Sequence, residues 1–373
     1  MARALGIISF SENHIWVEGM ETYRSIPAFS FLGRYRVIDF PISNMSNSGI
    51  DRIQVYIRRK PCSLVEHIGR GRHYNINSKS GYLQMVFAES QENKDYYNTD
   101  IKVYADNLDR MVKASNNYVV IAPGYMVFTQ DFDELLKVHE ESGADVTLLY
   151  HKVDNAKESY LSCDCLELNK QKGVNSIVRN NGTTKNRNIF MDTYIMKKEV
   201  FIDLVHAAQK ASSMYTMKHI INDMCEAQEL NILGVSHKGF FAPISDLKGY
   251  YDANLALLDP ENVKSLFRPD WPIYTRTSDS CPTQYYETAD VKASFISNGC
   301  QIEGTVENSV IGRGCVVKPG AMVKNCVVLA DTVIGNDVHI EGQVVDRLAK
   351  VTRMKEIIAD PAKPGYVKRN DTV

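Results

Sequence analysis

The run Val119-Val-Ile-Ala-Pro-Gly-Tyr-Met-Val-Phe128 reads as a buried strand ending in a turn, the place where α/β enzymes hold their reactive groups, and it carries no acid, base or nucleophile. Two basic stretches, IRRK at 57–60 and GRGRH at 69–73, concentrate charge that attracts anionic ligands, although solvated loops have the same composition. Asp39, Asn44 and Asn47 read as helix-capping and core-polar groups before catalysts, because Asx side chains bond the backbone N–H groups at helix starts. The eight cysteines (62, 163, 165, 225, 281, 300, 315, 326) are scattered, and Cys163-Asp-Cys165 is their one close pair. With no second pair or His beside it, reduced and mostly buried thiols are expected, and neither a metal site nor a disulfide framework.

The elements that must position these groups change character along the chain. Up to about residue 255, short apolar runs alternate with amphipathic stretches. Strands are expected at Ala4 to Ile8, Ile53 to Ile57, Tyr118 to Ile121, Val146 to Tyr150 and Asn188 to Met196. Helices are expected at Asp39 to Ser48, Leu108 to Ser115, Phe132 to Glu141, Lys198 to Lys210 and Tyr215 to Glu226. Strands separated by helices of this length predict a Rossmann-like mixed sheet wrapped on both faces. RPDWPIYTRTSDSCPTQYY (268–286) then brings three prolines without periodicity, as an inter-domain connection would.

Beyond it, Val310, Val316, Met322, Val328, Ile334 and Ile340 follow one another at a spacing of six, with compact residues four places later from Gly314 to Val344. Neither a helix nor a simple strand has this period. A hexapeptide-repeat parallel β-helix does, with one aliphatic residue of each unit sent inward, and Ile296 and Ile302 begin the pattern with a register shift of two. The division predicted is 1–258 for an α/β domain, 259–290 for the connection and 291–373 for the β-helix. A length of 373 residues suits two domains, and a net charge of −2 gives no reason to expect nucleic acid or membrane as a partner. The opening MARALGIISF matches neither a signal peptide nor a membrane span, which makes a cytoplasmic location the expectation.

FLGRYRVIDFPISNMSNSGIDRIQVYIRRKPCSLVEHI (31–68) resembles the N-terminal signature of bacterial glucose-1-phosphate adenylyltransferase, or ADP-glucose pyrophosphorylase, through its Gly-Arg-Tyr-Arg, Ile-Asp-Phe-Pro and Asn-Ser-Gly-Ile elements. The resemblance continues through DLKGYYDANLALL (246–258), PDWPIYT (269–275) and the repeats. It implies a nucleotidyltransferase domain followed by a left-handed β-helix. The reaction it implies is attack of glucose 1-phosphate on the α-phosphate of ATP, giving ADP-glucose for glycogen synthesis.

That chemistry needs a glycine loop for the triphosphate, carboxylates for Mg²⁺ and cations on the phosphates. By the same resemblance each is missing. IISFSENHIW (7–16) stands where the glycine loop belongs, and Ile26 takes the place of the lysine in Lys-Pro-Ala. Gly124 and Pro243 replace the two magnesium-binding aspartates, and LNKQKGVNSIVRNNGTT (168–184) holds no Glu-Lys-Pro. The resemblance is therefore to the non-catalytic D-type subunit, without a metal or cofactor of its own. Mg²⁺ is then expected in a catalytic partner, within a mixed tetramer.

Arg36 and Arg347 match positions of a phosphorylated-sugar effector site, for which a planar guanidinium is suited. Tyr23 and Ser30 replace two further positions of that site, and the alternative for both arginines is an inter-domain salt bridge. Asp39, Asn47 and Asp192 are candidate remnants of the pocket. The competing reading is an active nucleotidyltransferase whose metal is held by Asp100, Asp192 or Asp246. A β-helix acyltransferase has no support, because His339, the one His in the repeats, has no catalytic context.

Overall fold

A computed structural model describes residues 4–12, 14–77, 79, 81–88, 99–113, 115–161 and 163–373. It divides into two compact units. The first comprises residues 1–15, 38–243 and 269–274, and the second 16–37, 244–268 and 275–373. The units do not follow the linear boundaries expected from sequence, since 16–37 and 244–268 group with the β-helix.

The first unit is built on a nine-stranded mixed sheet. Its strands are β1 (Ala4–Ser9), β2 (Arg52–Ile57), β3 (Tyr82–Phe87), β4 (Tyr118–Pro123), β6 (Val146–Val153), β7 (Asp164–Leu168), β8 (Val174–Arg179), β9 (Arg187–Lys197) and β10 (Ile232–His237); β5 (Met126–Phe128) pairs elsewhere. The order is β8-β7-β9-β4-β1-β2-β3, with β6 pairing both β9 and β10. Pairing is parallel from β4 through β1 and β2 to β3, and antiparallel where β9 meets β4 and β6. Every residue of β1 is buried, as a central strand covered on both faces requires.

The helices of this unit are α1 (Asp39–Asn47), α2 (Cys62–Ile68), α3 (Asp100–Asp106), α4 (Leu108–Val112), α5 (Phe132–Ser142), α6 (Lys198–Ala211) and α7 (Met217–Ala227). The expected strands and helices are all present. α4 is shorter than expected, with Lys113 as its C-cap. Asp131 caps the start of α5 by accepting from the N–H groups of Asp133 and Glu134, and Gly143 ends it in the left-handed conformation. The start of α7 carries a capping box between Thr216 and His219. Pro269–Tyr274, within the stretch read as an inter-domain connection, is held by α1: Trp271 Nε1 donates to Asn44 Oδ1 at 3.0 Å and Asn47 Nδ2 to Pro272 O at 2.9 Å.

The second unit is the expected left-handed parallel β-helix, made of three five-stranded parallel sheets. Its register differs from the expected spacing of six. Val310 pairs with Val327 and Val327 with Val344, so a full coil takes 17 residues there. The inward residues are Ile311, Val317, Val323, Val328, Ile334, Ile340 and Val345, at spacings of six, six and five. Val316 and Met322 therefore do not point inward as expected; Met322 is 43% exposed beside a fully buried Val323. Successive strand residues face opposite sides, and adjacent aliphatic pairs hide in the sequence which member is inside. Val310, Val327 and Val344 are buried outside the central cluster, on the face where α8 (Leu247–Ala256) packs. A short α9 (Pro260–Leu266) follows α8. At one corner Gly342 has φ +66°, and a Cβ there would lie 2.3 Å from the carbonyl oxygen of Ala359. Within this unit, buried Arg24 donates to Asp346 Oδ1 at 2.7 Å, and Tyr366 Oη donates to Asp346 Oδ2 at 2.7 Å.

Candidate functional site

The tip of β4 ends in a turn that carries no acidic or basic side chain at Pro123 and Gly124. Ser9 pairs with Pro123, and the N–H of Gly124 donates to Ser9 O at 2.8 Å. Tyr125 then turns inward, 4% exposed, and its hydroxyl donates to Asp192 Oδ2 at 2.7 Å. Tyr194 donates to the other oxygen of Asp192 at 2.8 Å. Asp192 sits at φ +45° where the β9 register slips between Phe190 and Tyr194, and this irregularity aims its carboxylate off the strand. Pro243 lies in β11 (Phe241–Pro243), buried and paired with Met126 of β5. Neither Gly124 nor Pro243 offers a metal an oxygen from its side chain. Ile26 is buried in a short 3-10 turn of the second unit.

Asp192 lines a cavity of about 280 Å³ in the first unit together with Asp100, Glu12, Tyr104 and Lys218. Lys218, on α7, donates to Asp164 Oδ2 at 2.6 Å and pairs with Glu12 Oε1 at 2.7 Å, while His14 Nδ1 lies 3.2 Å from Glu12. Burial alone raises the Glu12 carboxyl, but the His14 and Lys218 hydrogen bonds and the Lys218 charge outweigh it and hold the group at about 2. Burial likewise opposes the charge on Lys218, and the carboxylates of Glu12 and Asp164 overcome it to push the ammonium up. The loop after β1 thus carries a carboxylate paired with a lysine of α7.

Asp100 begins α3 and accepts from the N–H of Ile101 at 2.8 Å and from the N–H of Met217, at the start of α7, at 3.2 Å. Burial pushes its carboxyl up to about 7, with the charge of Glu12 adding to the rise. Asp192 is raised by the same two causes, in the same order. Among the described residues, no three His, Cys, Asp or Glu side chains are placed to hold a metal ion. The oxygens of Asp100 and Asp192 are engaged by backbone N–H groups and tyrosine hydroxyls, so this donor set does not fit Mg²⁺.

The other residues singled out from sequence fall elsewhere. Asp39 is fully buried, accepting from Tyr74 Oη at 2.6 Å and lying 2.6 Å from His67 Nε2; α1 starts without a side-chain cap. Asn44 Nδ2 donates to Phe128 O at 2.9 Å. Asp246 is exposed and caps α8 by accepting from Gly249 N. Cys163 and Cys165 are buried on and beside β7, and burial pushes the Cys165 thiol up to about 11. Of the basic run at 57–60, Arg58 reaches the cavity, 5.0 Å over the ring of Phe10.

In the second unit, Arg36 is half-buried in a two-strand hairpin opposite Ser30, and Arg347 pairs with Asp331 at 3.2 Å. Both partners of that ion pair belong to the second unit, so it is not the inter-domain bridge considered above. Neither arginine lines the cavity described next, which also lies in this unit. That cavity, of about 430 Å³, is lined instead by Arg34, Arg276 and Arg313, with Ser297, Tyr35 and Phe267. Arg313 donates to the carbonyl oxygen of Arg34 at 3.2 Å, and Tyr35 packs on Phe267 with ring centroids 5.2 Å apart. No acidic residue is among its lining side chains. Sequence reasoning missed this trio because its members lie on three segments far apart in the chain. It missed the Glu12–Lys218 pair for the same reason.

Residues 22–259 match the family described as Nucleotidyl transferase, and residues 281–366 match GlmU-like, C-terminal hexapeptide. The chain is 30% identical over 327 residues to glycogen biosynthesis protein GlgD of Geobacillus stearothermophilus, covering 86% of this chain and 83% of that protein. GlgD of Bacillus subtilis (strain 168) is 27% identical over 366 residues, covering 98% and 95% of the two chains. Glucose-1-phosphate adenylyltransferase of Clostridioides difficile (strain 630) is 29% identical over 312 residues, covering 82% and 80%. With its mixed sheet, its β-helix and these matches, the chain belongs to the nucleotidyl transferase family, in the group that holds the glucose-1-phosphate adenylyltransferases and the GlgD glycogen biosynthesis proteins.

Proposed function

We propose that this chain is a non-catalytic subunit of an ADP-glucose-forming assembly in glycogen biosynthesis, modulating a catalytic partner that turns ATP and glucose 1-phosphate into ADP-glucose. The observation that carries the proposal is the β4 tip. Gly124 and Pro243 present no side-chain oxygen, and the nearby loop brings a half-buried, ion-paired Glu12 in place of a phosphate-binding backbone. Loss of one charged group from such a site commonly removes about 3–4 kcal/mol of transition-state stabilisation, and here several are absent together. In this reading Mg²⁺ belongs to the partner, and the assembly is a cytoplasmic mixed tetramer.

The effector response would enter through the second unit. Three guanidiniums around one cavity suit a doubly charged phosphate, which they can bind as planar forks. A phosphorylated sugar is the ligand class proposed for it. One observation favours the competing active-enzyme reading: Asp100 and Asp192 share a cavity. Their engaged oxygens, and the lack of a third metal donor beside them among the described residues, weigh against it.

The test is ADP-glucose formation by the purified chain with ATP, Mg²⁺ and glucose 1-phosphate, alone and then with the catalytic partner. The expected result is no turnover alone and a change in the partner's rate or effector response on mixing. Robust turnover alone overturns the reading, and an unchanged partner removes its regulatory half.

A further inference from the structure

The same reactive dipeptide, Asn-Gly with an exposed asparagine, stands in two different frames at Asn181-Gly182 and Asn298-Gly299. In such a step the backbone nitrogen of the glycine can attack the side-chain carbonyl carbon of the asparagine, because a residue without a Cβ leaves the approach open. How the surrounding chain holds the two groups decides whether it does.

Asn181-Gly182 lies in the loop between β8 and β9. Gly182 has φ +71°, and a Cβ there would lie 3.0 Å from Leu161 Cδ2 and 3.1 Å from the carbonyl oxygen of Lys157, so the turn requires glycine. The Asn181 side chain folds forward over it: Oδ1 accepts from the N–H of Thr183 at 3.2 Å and from the Thr183 hydroxyl at 2.7 Å. Two donors on one carbonyl oxygen draw electrons from its carbon and hold the negative oxygen that forms when a nucleophile adds, as an oxyanion hole does. The Asn181 Nδ2 group, which must leave, has no hydrogen-bond partner among the described residues. The Gly182 N–H donates to Asn180 Oδ1 at 3.1 Å, a bond that ring closure gives up. Asn180 Nδ2 is anchored on Ala156 O at 2.8 Å and Tyr160 O at 3.0 Å, so the loop is fixed before the reacting pair and solvated after it.

Asn298-Gly299 sits instead in a turn of the β-helix, between the strands Phe295–Ile296 and Gln301–Ile302. Asn298 O accepts from Gly314 N at 3.1 Å, while Ser297 N and Gln301 N donate to Ile311 O and Cys315 O, both at 2.9 Å. The next coil therefore pins the backbone on both sides of the step. Among the described residues, no donor reaches the Asn298 side chain.

We infer that Asn181 is a site of spontaneous deamidation in the native protein, and that the loop geometry selects it over Asn298. The Gly182 nitrogen loses its proton to hydroxide and bonds to Asn181 Cγ. The Cγ–Nδ2 bond breaks, and ammonia departs after taking a proton from water, which regenerates hydroxide and leaves a five-membered succinimide. Water then opens the ring at either carbonyl, giving aspartate or isoaspartate. The net change is one water in and one ammonia out, with no oxidant or cofactor. Either product adds a negative charge to the loop, and the iso form also routes the main chain through the side-chain carbon.

The test is incubation of the full-length chain at mildly alkaline pH, native and in urea, followed by proteolysis and mass measurement of the peptides that hold each Asn-Gly step. In the native chain the Asn181 peptide should gain the mass difference between a hydroxyl and an amino group, about ten-fold or more faster than the Asn298 peptide, because only the second is held by hydrogen bonds that must open first. One of its two product isomers should accept a methyl group from S-adenosylmethionine through an isoaspartyl methyltransferase. In urea the two rates should converge, since the dipeptide is the same. Thr183→Val keeps the N–H donor and removes the hydroxyl, and should slow the native reaction about three-fold, as the loss of one hydrogen bond does, while leaving the urea rate unchanged. Circular dichroism melting checks the fold of the variant. An unreacted Asn181 in the native chain, native reaction of Asn298 at an equal or higher rate, or a Thr183→Val rate equal to wild type would each overturn the inference. No partner or substrate takes part, so this outcome and that of the subunit assay stand or fall separately.

Discussion

The two cavities use charge in opposite ways. In the first unit, cations and carboxylates are spent on each other: Lys218 on Glu12 and Asp164, Asp192 on two tyrosines, Asp100 on the start of α7. In the second, Arg34 and Arg276 are exposed and Arg313 is half-buried around a cavity lined without acids. Buried charges must be paired, and a paired charge maintains a structure. The difference separates a cavity whose lysine is paired with carboxylates from one lined by three guanidiniums and no acid.

The sharpest way to break this comparison is Lys218→Met. It strands the carboxylates of Glu12 and Asp164, and we expect a loss of about 3–5 kcal/mol in urea unfolding. Adding Glu12→Gln should restore part of that loss. A cost below about 1 kcal/mol would mean that the network is ornamental, as exposed ion pairs are.

Next in size is the effect of Asp100 on stability against pH. Its folded value of about 7 lies above its ordinary 3.8, so the folded state holds an extra proton between those limits. The contribution is therefore full below about pH 4 and lost as pH rises through 7. The wild type should lose about 2–4 kcal/mol relative to Asp100→Asn between pH 4 and 8, read from urea midpoints at each pH. A parallel pH course for the two proteins would refute the assignment.

On the other side of the comparison, Arg276→Ala should leave stability within about 0.5 kcal/mol, as surface changes do. Its binding of inorganic phosphate or a hexose phosphate should nonetheless weaken about ten-fold, for loss of a charge-assisted hydrogen bond of about 1.5 kcal/mol. The smallest effect is expected at Met322→Lys on the outer face of the β-helix, within about 0.5 kcal/mol of wild type. Val323→Ala, one residue away and inside, should cost about 2 kcal/mol in the same melting experiment.

Much of the fold was legible in the sequence. The alternation of apolar runs with amphipathic stretches located β1, β2, β4, β6 and β9 and the main helices to within a few residues. The strands β3, β7, β8 and β10 carry mixed surfaces with weaker periodicity and went unread. In the repeats, the aliphatic pairs Val310-Ile311, Val316-Val317 and Val327-Val328 concealed a 17-residue coil behind a spacing of six. Of the site, Asp192 and Asp100 were named in advance, but Lys218, Glu12 and Tyr104 were not. Nothing local distinguishes them.

What the sequence by itself determined is what cannot be supplied from elsewhere. A glycine at 124 and a proline at 243 have no carboxylate, whatever surrounds them, and a repeat of aliphatic residues over successive short turns can bury them only by coiling. Which charges meet is decided only in the tertiary structure. Glu12 and Lys218 are 206 residues apart, and Arg24 and Asp346 are 322 apart. Coulomb and hydrogen-bond energies fall off within a few ångströms, so it is the folded path of the chain, and not its order, that pairs a lysine with carboxylates in one cavity and gathers three arginines around the other.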